Sequence, residues 1–267
     1  LLRPQRLVNL RGIADLDEIH VDANGTLRIG ALTTLARIAS HPGIRDRFGA
    51  LAAAAEHAAT PQVRNVATLG GNLLQRPRCW YFRSEHFAGS DIAAAVREGE
   101  NQYHGIFDTQ MSPFVHASTP ATALAAYDAT VHVCSSRGQR QMKLRDFLLP
   151  PYPRRARDVR LEPDEVVTHV SLPAQASDTR SAYRKQTERD SYDWPICDVA
   201  VVMNVTTACT VDAVSIALGW VAPTPMRASE AEAMLTGQRI DDAVAARAAR
   251  AAVKNAQPLS RNAWKVD

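Results

Sequence analysis

The segment formed by residues 60–74 constrains this chain more than any other. It reads TPQVRNVATLGGNLL and places the adjacent glycines Gly70 and Gly71 between Thr68 and Asn72. Because glycine has no Cβ, such a turn can point successive backbone N–H groups at one anion, most often a phosphate. The segment lacks the lysine of the GxxxxGK[ST] loop and the spacing of GxGxxG. Taken alone, a Gly-Gly pair more often marks a tight turn between two strands.

Size and charge limit the classes of function. The chain has 267 residues, enough for two modest domains that each bury a core. Its 31 basic and 28 acidic residues nearly balance, and the net charge is +3. This balance, with no block of like charges, argues against a nucleic-acid partner. The apolar runs are too short to span a bilayer, so we expect no membrane partner either.

Local patterns predict an α+β chain. Asn24-Gly25 lies between two short apolar runs and predicts a hairpin over residues 19–29. The alanine-rich segment 49–59 predicts a helix. After the proline-rich residues 150–153, we expect strands at 166–172, 182–186, 199–205 and 214–218, then helices at 227–235 and 242–255. Strands followed by helices are typical of an antiparallel sheet with helices packed on it.

Seven stretches carry a family resemblance, and they occur in one order along the chain. They are RIGALTTL at 28–35, TPQVRN at 60–65, ATLGGN at 67–72, YRK at 183–185, ALGWVAPTP at 217–225, AQPLS at 256–260 and NAWKV at 262–266. In this wording the chain closely resembles the FAD-binding medium subunit of molybdenum hydroxylases. This family includes xanthine dehydrogenase-like, carbon monoxide dehydrogenase-like and aldehyde oxidoreductase-like enzymes. The resemblance covers essentially the whole chain.

The resemblance implies two domains. Residues 1–155 would form the second subdomain of an FAD-binding domain of the vanillyl-alcohol-oxidase (PCMH) type, with a long irregular excursion over residues 76–108. The first subdomain of that fold, with its own glycine-rich phosphate loop, would be largely missing. The opening residues 2–10 resemble the strand that follows that loop. Residues 156–267 would form the C-terminal α+β domain of the medium subunit.

The resemblance also implies an FAD site. Its predicted members are Thr68, Leu69, Gly70, Gly71, Asn72, Leu73, Ser118, Val167 and Lys185. The glycine loop would hold the diphosphate, Leu69 and Leu73 would enclose the cofactor, and Ser118 would give a polar contact beside Thr119, where relatives often have Asp. Lys185 would lie near the pyrimidine side of the flavin, where a cation stabilises the charge of the reduced ring. From the residues alone, Lys185 also fits a surface strand end.

Val167 matches an apolar position that packs on the flavin ring, and an ordinary core valine explains it equally well.

Cys79 stands in RPRCWYFR, which resembles a branch that holds a four-iron cluster on four cysteines. The remaining cysteines are Cys134, Cys197 and Cys209, far from the ligand positions of that branch. We therefore expect no four-iron cluster, no metal site and no disulfide framework.

The chain offers no candidate catalytic residue. His104 has no Cys, Asp or Glu at a ligand spacing, so a hydrogen-bonded structural histidine is expected there. The resemblance implies an electron-transfer role: electrons would pass from two-iron clusters on a small subunit to FAD here and then to an external acceptor. A large subunit would carry the molybdenum cofactor, and the complex would be a heterotrimer.

Two alternatives stay open. A non-catalytic assembly subunit with weak or no FAD binding would explain Thr119 and the lost cysteines. A stand-alone FAD reductase of the same broad fold would need acid and base residues that the sequence does not offer. The absence of a secretory signal favours a cytoplasmic location, although co-export to the periplasm with a partner is compatible with it.

Overall fold

The computed structural model describes residues 5–84, 87, 91–152, 157–189 and 192–267. Within that part, the first sheet is built from β1 (Ile19–Val21), β2 (Leu27–Gly30), β3 (Thr130–Ser135), β4 (Gly138–Lys143) and β5 (Val166–Leu172). These strands lie in the order β1-β2-β5-β3-β4, and every neighbouring pair is antiparallel.

The predicted hairpin at the start of this sheet is confirmed. Ile19 pairs with Ile29 and Val21 with Leu27. Gly25 has φ +84°, in the left-handed region that favours glycine, and the Asn24 side chain accepts a hydrogen bond from the Thr26 amide. The turn residues therefore set the register of the hairpin.

Strand β5 lies in the first sheet, between β2 and β3, which corrects its expected place in the second sheet. Val167, Val170 and Leu172 are buried in the first core, so the strand suits a central position with a neighbour on each side. The predicted domain boundary, between residues 155 and 156, lies within residues 153–156, which are outside the described part of the chain. The exact division therefore stays a prediction.

The helices of the first domain are short. They are α1 (Leu35–Ser40), α2 (Pro42–Arg47), α3 (Gly49–Glu56), α4 (Pro61–Arg64), α5 (Leu69–Leu73), α6 (Trp80–Arg83), α7 (Ile92–Glu98), α8 (Thr119–Ala126) and α9 (Leu144–Phe147). Helices α1, α3 and α8 contribute buried alanines and leucines to the core of the first domain. The alanines let backbones pack closely, and their burial stabilises the domain through the removal of apolar surface from water.

Two of these helices correct a sequence expectation. Residues 76–108 were expected to be irregular, yet α6 and α7 lie within them. Helix α7 begins where the Asp91 side chain accepts hydrogen bonds from the amides of Ala93 and Ala94. Its residues Ile92 and Val96 are buried against Phe114. An N-cap together with two apolar residues four positions apart is enough to form a two-turn helix when tertiary packing buries those residues.

The second sheet is antiparallel, as predicted. It is built from β6 (Thr179–Gln186), β7 (Cys197–Val205), β8 (Val211–Gly219) and β9 (Met226–Arg227), in that order. Two helices follow, α10 (Ser229–Leu235) and α11 (Asp242–Val253). Their buried face packs on Ile216 of β8, which forms a small second core. Asp241 caps α11 by accepting a hydrogen bond from the Val244 amide.

The two domains share part of their core. Tyr183, Ala200 and Ala217 of the second sheet are buried in the same cluster as α3 and α8 of the first domain. The Ser181 hydroxyl bridges the two domains. It lies 2.8 Å from the Tyr127 hydroxyl and accepts a hydrogen bond from the Ala50 amide at 3.1 Å. The side chains that line the junction are thus held from both sides.

The N-terminal segment differs from expectation. Of the expected strand at residues 2–10, residues 2–4 lie outside the described part, and residues 5–9 form no strand before a short 3₁₀ helix at Leu10–Gly12.

In the described part of the chain, every helix is too short or too polar to cross a membrane. The expected cytoplasmic location stays a prediction.

Candidate functional site: a cavity where the two domains meet

A cavity of about 620 Å³ opens between the two domains. One wall comes from the segment between α3 and α5, and the opposite wall from β6 and the segment before β7. Its described lining residues are Leu35, His57, Ala58, Ala59, Thr60, Val63, Val66, Ala67, Thr68, Gly71, Asn72, Gln75, Arg78, Ala117, Thr119, Lys185, Tyr192, Asp193, Trp194, Pro195 and Trp220. A volume of this size lies in the range of ligand and cofactor sites.

The two glycines have different roles. Gly70 is buried, and a Cβ there would lie 2.9 Å from the Ala31 Cβ and 3.0 Å from the Ala31 carbonyl oxygen. Its missing side chain therefore lets α5 pack on the backbone after β2. Gly71 lines the cavity, and a Cβ there would meet only the Thr68 hydroxyl, at 3.1 Å. Of the pair, Gly71 leaves room for a ligand.

The backbone amides of this turn are hydrogen-bonded within the protein. The Leu69 amide donates to the Thr33 carbonyl and the Gly70 amide to the Ala31 carbonyl. The Gly71 amide donates to the Thr68 hydroxyl at 3.2 Å, and the Asn72 amide to the Thr68 carbonyl at 2.8 Å. The sequence predicted that free amides here would grip a diphosphate, whereas in this structure the four amides already have partners. The polar groups available to a ligand are side chains.

The predicted site residues divide into two groups. Thr68, Gly71, Asn72 and Lys185 line the cavity. The others do not: Leu69, Gly70 and Leu73 are buried on the inner side of α5, Val167 is a core residue of β5, and Ser118 is buried at the start of α8.

Ser118 contacts Asn72, which lines the cavity, but does not line the cavity itself. Its hydroxyl donates to the Asn72 side-chain oxygen at 2.5 Å and also accepts from the Ala121 amide, which caps α8. This hydrogen bond holds the Asn72 side-chain oxygen and leaves its NH₂ donors for a ligand in the cavity that Asn72 lines. Thr119, expected to give a weaker polar contact than Asp, lines the cavity while its hydroxyl donates to the Ala54 carbonyl.

Lys185 joins the two walls of the cavity. Its ammonium donates to the His57 carbonyl and to the Asp193 carbonyl, both at 2.9 Å. Burial lowers the pKa of Lys185, and the negative charges of Asp198 and Asp193 oppose that shift. Two carbonyl partners leave the third ammonium proton for a ligand.

Arg78 is a site residue that the sequence reasoning missed. Its guanidinium lies 5.1 Å over the Trp194 ring and donates twice to the Gln75 side-chain oxygen, at 2.9 and 3.2 Å. Arg78 takes part in none of the ion pairs found among the described residues, and burial followed by the charge of Arg83 lowers its pKa. A cation in a cavity without a carboxylate partner is suited to an anionic ligand. The sequence contains Arg78 in the tripeptide RPR, but no local pattern shows that its side chain lines a cavity.

Apolar side chains at the cavity are open to solvent. Val63, Val66 and Trp194 expose 45%, 61% and 53% of their surface. Three such residues around one cavity that also holds cations form the kind of surface that a ligand with an aromatic ring and a charged part would cover.

A second cavity of about 370 Å³ adjoins the first, and Cys79 and His104 line it. The His104 ring nitrogen Nε2 lies 3.1 Å from the Cys79 sulfur, and burial raises the pKa of this thiol to about 11. Burial also lowers the pKa of His104 to about 4. The pair is therefore neutral at physiological pH. No group of three or more Cys, His, Asp or Glu side chains within the described residues is arranged to hold a metal ion.

Comparison with known proteins places this architecture in a family. A model of the FAD binding domain in molybdopterin dehydrogenase matches residues 1–175, and a model of the CO dehydrogenase flavoprotein C-terminal domain matches residues 181–264. The first match extends past β5, in agreement with its place in the first sheet. The chain therefore belongs to the family of FAD-binding subunits of molybdopterin-dependent oxidoreductases, which confirms the resemblance found in its sequence.

Individual members of this family are similar over nearly the whole chain. The chain is 32% identical to the aldehyde oxidoreductase FAD-binding subunit PaoB of Escherichia coli (strain K12), over 98% of this chain and 80% of that protein. It is 30% identical to the carbon monoxide dehydrogenase medium chain of Hydrogenophaga pseudoflava, over 96% of this chain and 73% of the relative. A solved structure of carbon monoxide dehydrogenase from that organism, lacking the Mo-pyranopterin moiety, superposes with a TM-score of 0.72 at 28% identity, over 96% and 75% of the two chains.

Proposed function

We propose that this chain holds FAD in the cavity between its two domains and transfers electrons within a molybdenum-dependent oxidoreductase. The observation that carries the proposal is the placement of two cations, Arg78 and Lys185, in one cavity with exposed apolar residues. FAD has an anionic diphosphate and a large aromatic ring, so its chemistry matches this set of groups. When bound, FAD would accept and release electrons, while the chain binds it, orients it and adjusts its electrostatics.

The residues that would hold FAD come from both domains. Thr68, Gly71 and Asn72 would form one wall, where the absence of a side chain at Gly71 leaves room beside the Asn72 amide. Arg78 and Lys185 would supply positive charge. The buried residues Leu69, Gly70, Leu73, Ser118 and Val167 would support this wall from behind rather than touch the cofactor.

The family supports a proposal about the partners. The relative in Hydrogenophaga pseudoflava is a medium chain, and carbon monoxide dehydrogenase from that organism is an enzyme with a molybdenum cofactor. We propose that this chain joins a large subunit with the molybdenum cofactor and a small subunit with two-iron clusters in a heterotrimer. Electrons would reach FAD from those clusters and leave to an external acceptor. We propose no four-iron cluster in this chain.

The matched pair Arg78→Gln and Arg250→Gln tests the FAD site. Arg250 is exposed on α11, so both variants lose one positive charge and only one loses it from the cavity. Titration of the full-length, FAD-depleted protein with FAD, followed by flavin fluorescence, gives the dissociation constants. A lost charge-assisted hydrogen bond predicts at least about tenfold weaker binding for Arg78→Gln and wild-type binding for Arg250→Gln.

Two other outcomes decide against the proposal. Equal FAD affinity in both variants would remove Arg78 from the site. Wild-type protein that purifies with its partner subunits but binds no FAD would favour the non-catalytic assembly subunit instead.

A further inference from the structure

A buried carboxylate lies behind the cation at the proposed flavin site. Asp198, on β7, is only 2% exposed. Its Oδ1 accepts from the Thr122 hydroxyl of α8 at 2.8 Å, and its Oδ2 accepts from the Tyr183 hydroxyl of β6 at 2.7 Å. The carboxylate therefore joins a helix of the first domain to two strands of the second. A buried carboxylate is unusual because burial disfavours its charged form, so its surroundings must explain it.

Strand register places Asp198 beside Lys185. The two residues are direct partners across β6 and β7, so their side chains share one face of the sheet. Tyr183 lies two residues before Lys185 and faces the same side. The Lys185 ammonium donates to the carbonyls of His57 and Asp193, so Asp198 acts on it through space rather than as a contact pair.

The groups around Asp198 allow it to change protonation. Burial raises the pKa of Asp198 to about 7, against the hydrogen bonds from Tyr183 and Thr122, the charge of Lys185 and the Gly219 amide. The pKa of Tyr183 lies well above its ordinary value and that of the neighbouring Cys197 thiol is also raised, in both cases by burial first, so both stay neutral.

Lys185, besides Asp198, faces the charges of Asp193 and Arg64. Asp198, with a pKa of about 7, exchanges a proton near neutral pH while Tyr183 and Cys197 stay neutral.

We propose that Asp198 is a positioning residue that controls, through Lys185, how much positive charge the cavity offers to the flavin nucleotide. As an anion, Asp198 offsets part of the positive charge of the lysine from a distance. As a neutral acid, it leaves the full charge of the ammonium to the anionic cofactor. This inference rests on the proposed function, because it needs FAD in the cavity.

Linkage fixes the sign of the effect. An anionic ligand binds better when Asp198 carries its proton, so FAD affinity should rise as the pH falls through the neutral range. Across a separation of several ångströms in a partly buried site, the difference in affinity between about pH 8 and about pH 6 should be roughly three- to tenfold. FAD binding should also take up protons, by the same linkage.

The test is FAD titration of the full-length, FAD-depleted protein at a series of pH values between about 6 and about 8. Asp198→Asn is neutral at every pH, so it should bind FAD with the affinity that the wild type shows at low pH, without pH dependence. Asp212→Asn, the same change at an exposed position of β8, should behave as wild type. Thr122→Val removes one hydrogen bond that lowers the pKa of Asp198, so it should move the midpoint of the pH dependence upward.

The outcomes separate the two proposals. No FAD binding by the wild type at any pH overturns the proposed function and this inference with it. FAD binding whose pH dependence is the same in the wild type, Asp198→Asn and Thr122→Val overturns the role of Asp198 alone. If Asp198→Asn does not fold, Thr122→Val alone decides, since an unchanged midpoint in that variant contradicts the inference.

Discussion

The two glycines of the cavity wall should respond differently to the same methyl group. In Gly70→Ala, the added Cβ meets the Ala31 Cβ at 2.9 Å and the Ala31 carbonyl oxygen at 3.0 Å. Neither atom belongs to a flexible side chain, so the backbone of α5 must move. Inserting a methyl group into a packed interior costs about 1–3 kcal/mol. Replacing glycine by alanine in a helix returns up to about 1 kcal/mol.

Because the close Ala31 atoms cannot swing away, the cost lies in the upper part of that range, and the net effect of Gly70→Ala is a loss of about 1–2 kcal/mol in the free energy of unfolding. For a chain of this size, that corresponds to a melting temperature lower by roughly 2–8 °C. In Gly71→Ala, the Cβ meets only the Thr68 hydroxyl, at 3.1 Å, and projects towards the cavity. Its stability should stay within about 1 kcal/mol of wild type, while its FAD affinity falls.

Differential scanning calorimetry of the FAD-free variants, followed by FAD titration, measures both effects. A wild-type melting temperature for Gly70→Ala would show that α5 does not pack on the Ala31 backbone. Unchanged FAD affinity in Gly71→Ala would show that this glycine does not face the cofactor.

Three further predictions concern buried polar groups. Asp158→Ala should lower the free energy of unfolding by about 1–3 kcal/mol, because Asp158 is buried and accepts two hydrogen bonds from an arginine, whereas the exposed Asp164→Ala should change it by less than about 1 kcal/mol in chemical denaturation. Burial lowers the pKa of His116 to about 4, below its ordinary value of 6.5, so the unfolded chain takes up the proton first and stability is lost as pH falls from 6.5 towards 4. The variant His116→Gln should make the melting temperature fall less steeply over that range, to which the buried His104 also contributes, and an unchanged slope would contradict this explanation. Gly219→Ala would place a Cβ against the Asp198 carboxylate and the Thr122 hydroxyl, closer than Gly70→Ala comes to Ala31, so its melting temperature should fall by more than that of Gly70→Ala.

The sequence predicted the elements whose signals are local. Asn24-Gly25 specified its hairpin because that dipeptide accepts the left-handed turn by itself. The start of α11 is also a local feature, because the Asp241 side chain caps the helix by accepting from an amide only three residues later. Helix α7 was missed because its stability depends on burial against Phe114, which no local pattern reveals.

The site was predicted in part. The family wording led to Thr68, Gly71, Asn72 and Lys185, which line the cavity. It could not show that the amides of Leu69 and Gly70 are used inside the protein, because their acceptors, the carbonyls of Thr33 and Ala31, lie more than 30 residues earlier in the chain. Arg78 and Asp198 were missed for the same reason, since their roles depend on which side chains tertiary packing places beside them.

An experimental map of the full-length protein with FAD bound tests the central claim most directly. We predict density for the nucleotide in the cavity between α5 and β6, with the side chains of Arg78 and Lys185 in contact with it. Nucleotide density elsewhere on the chain, with this cavity empty or filled by side chains, would contradict the proposed site.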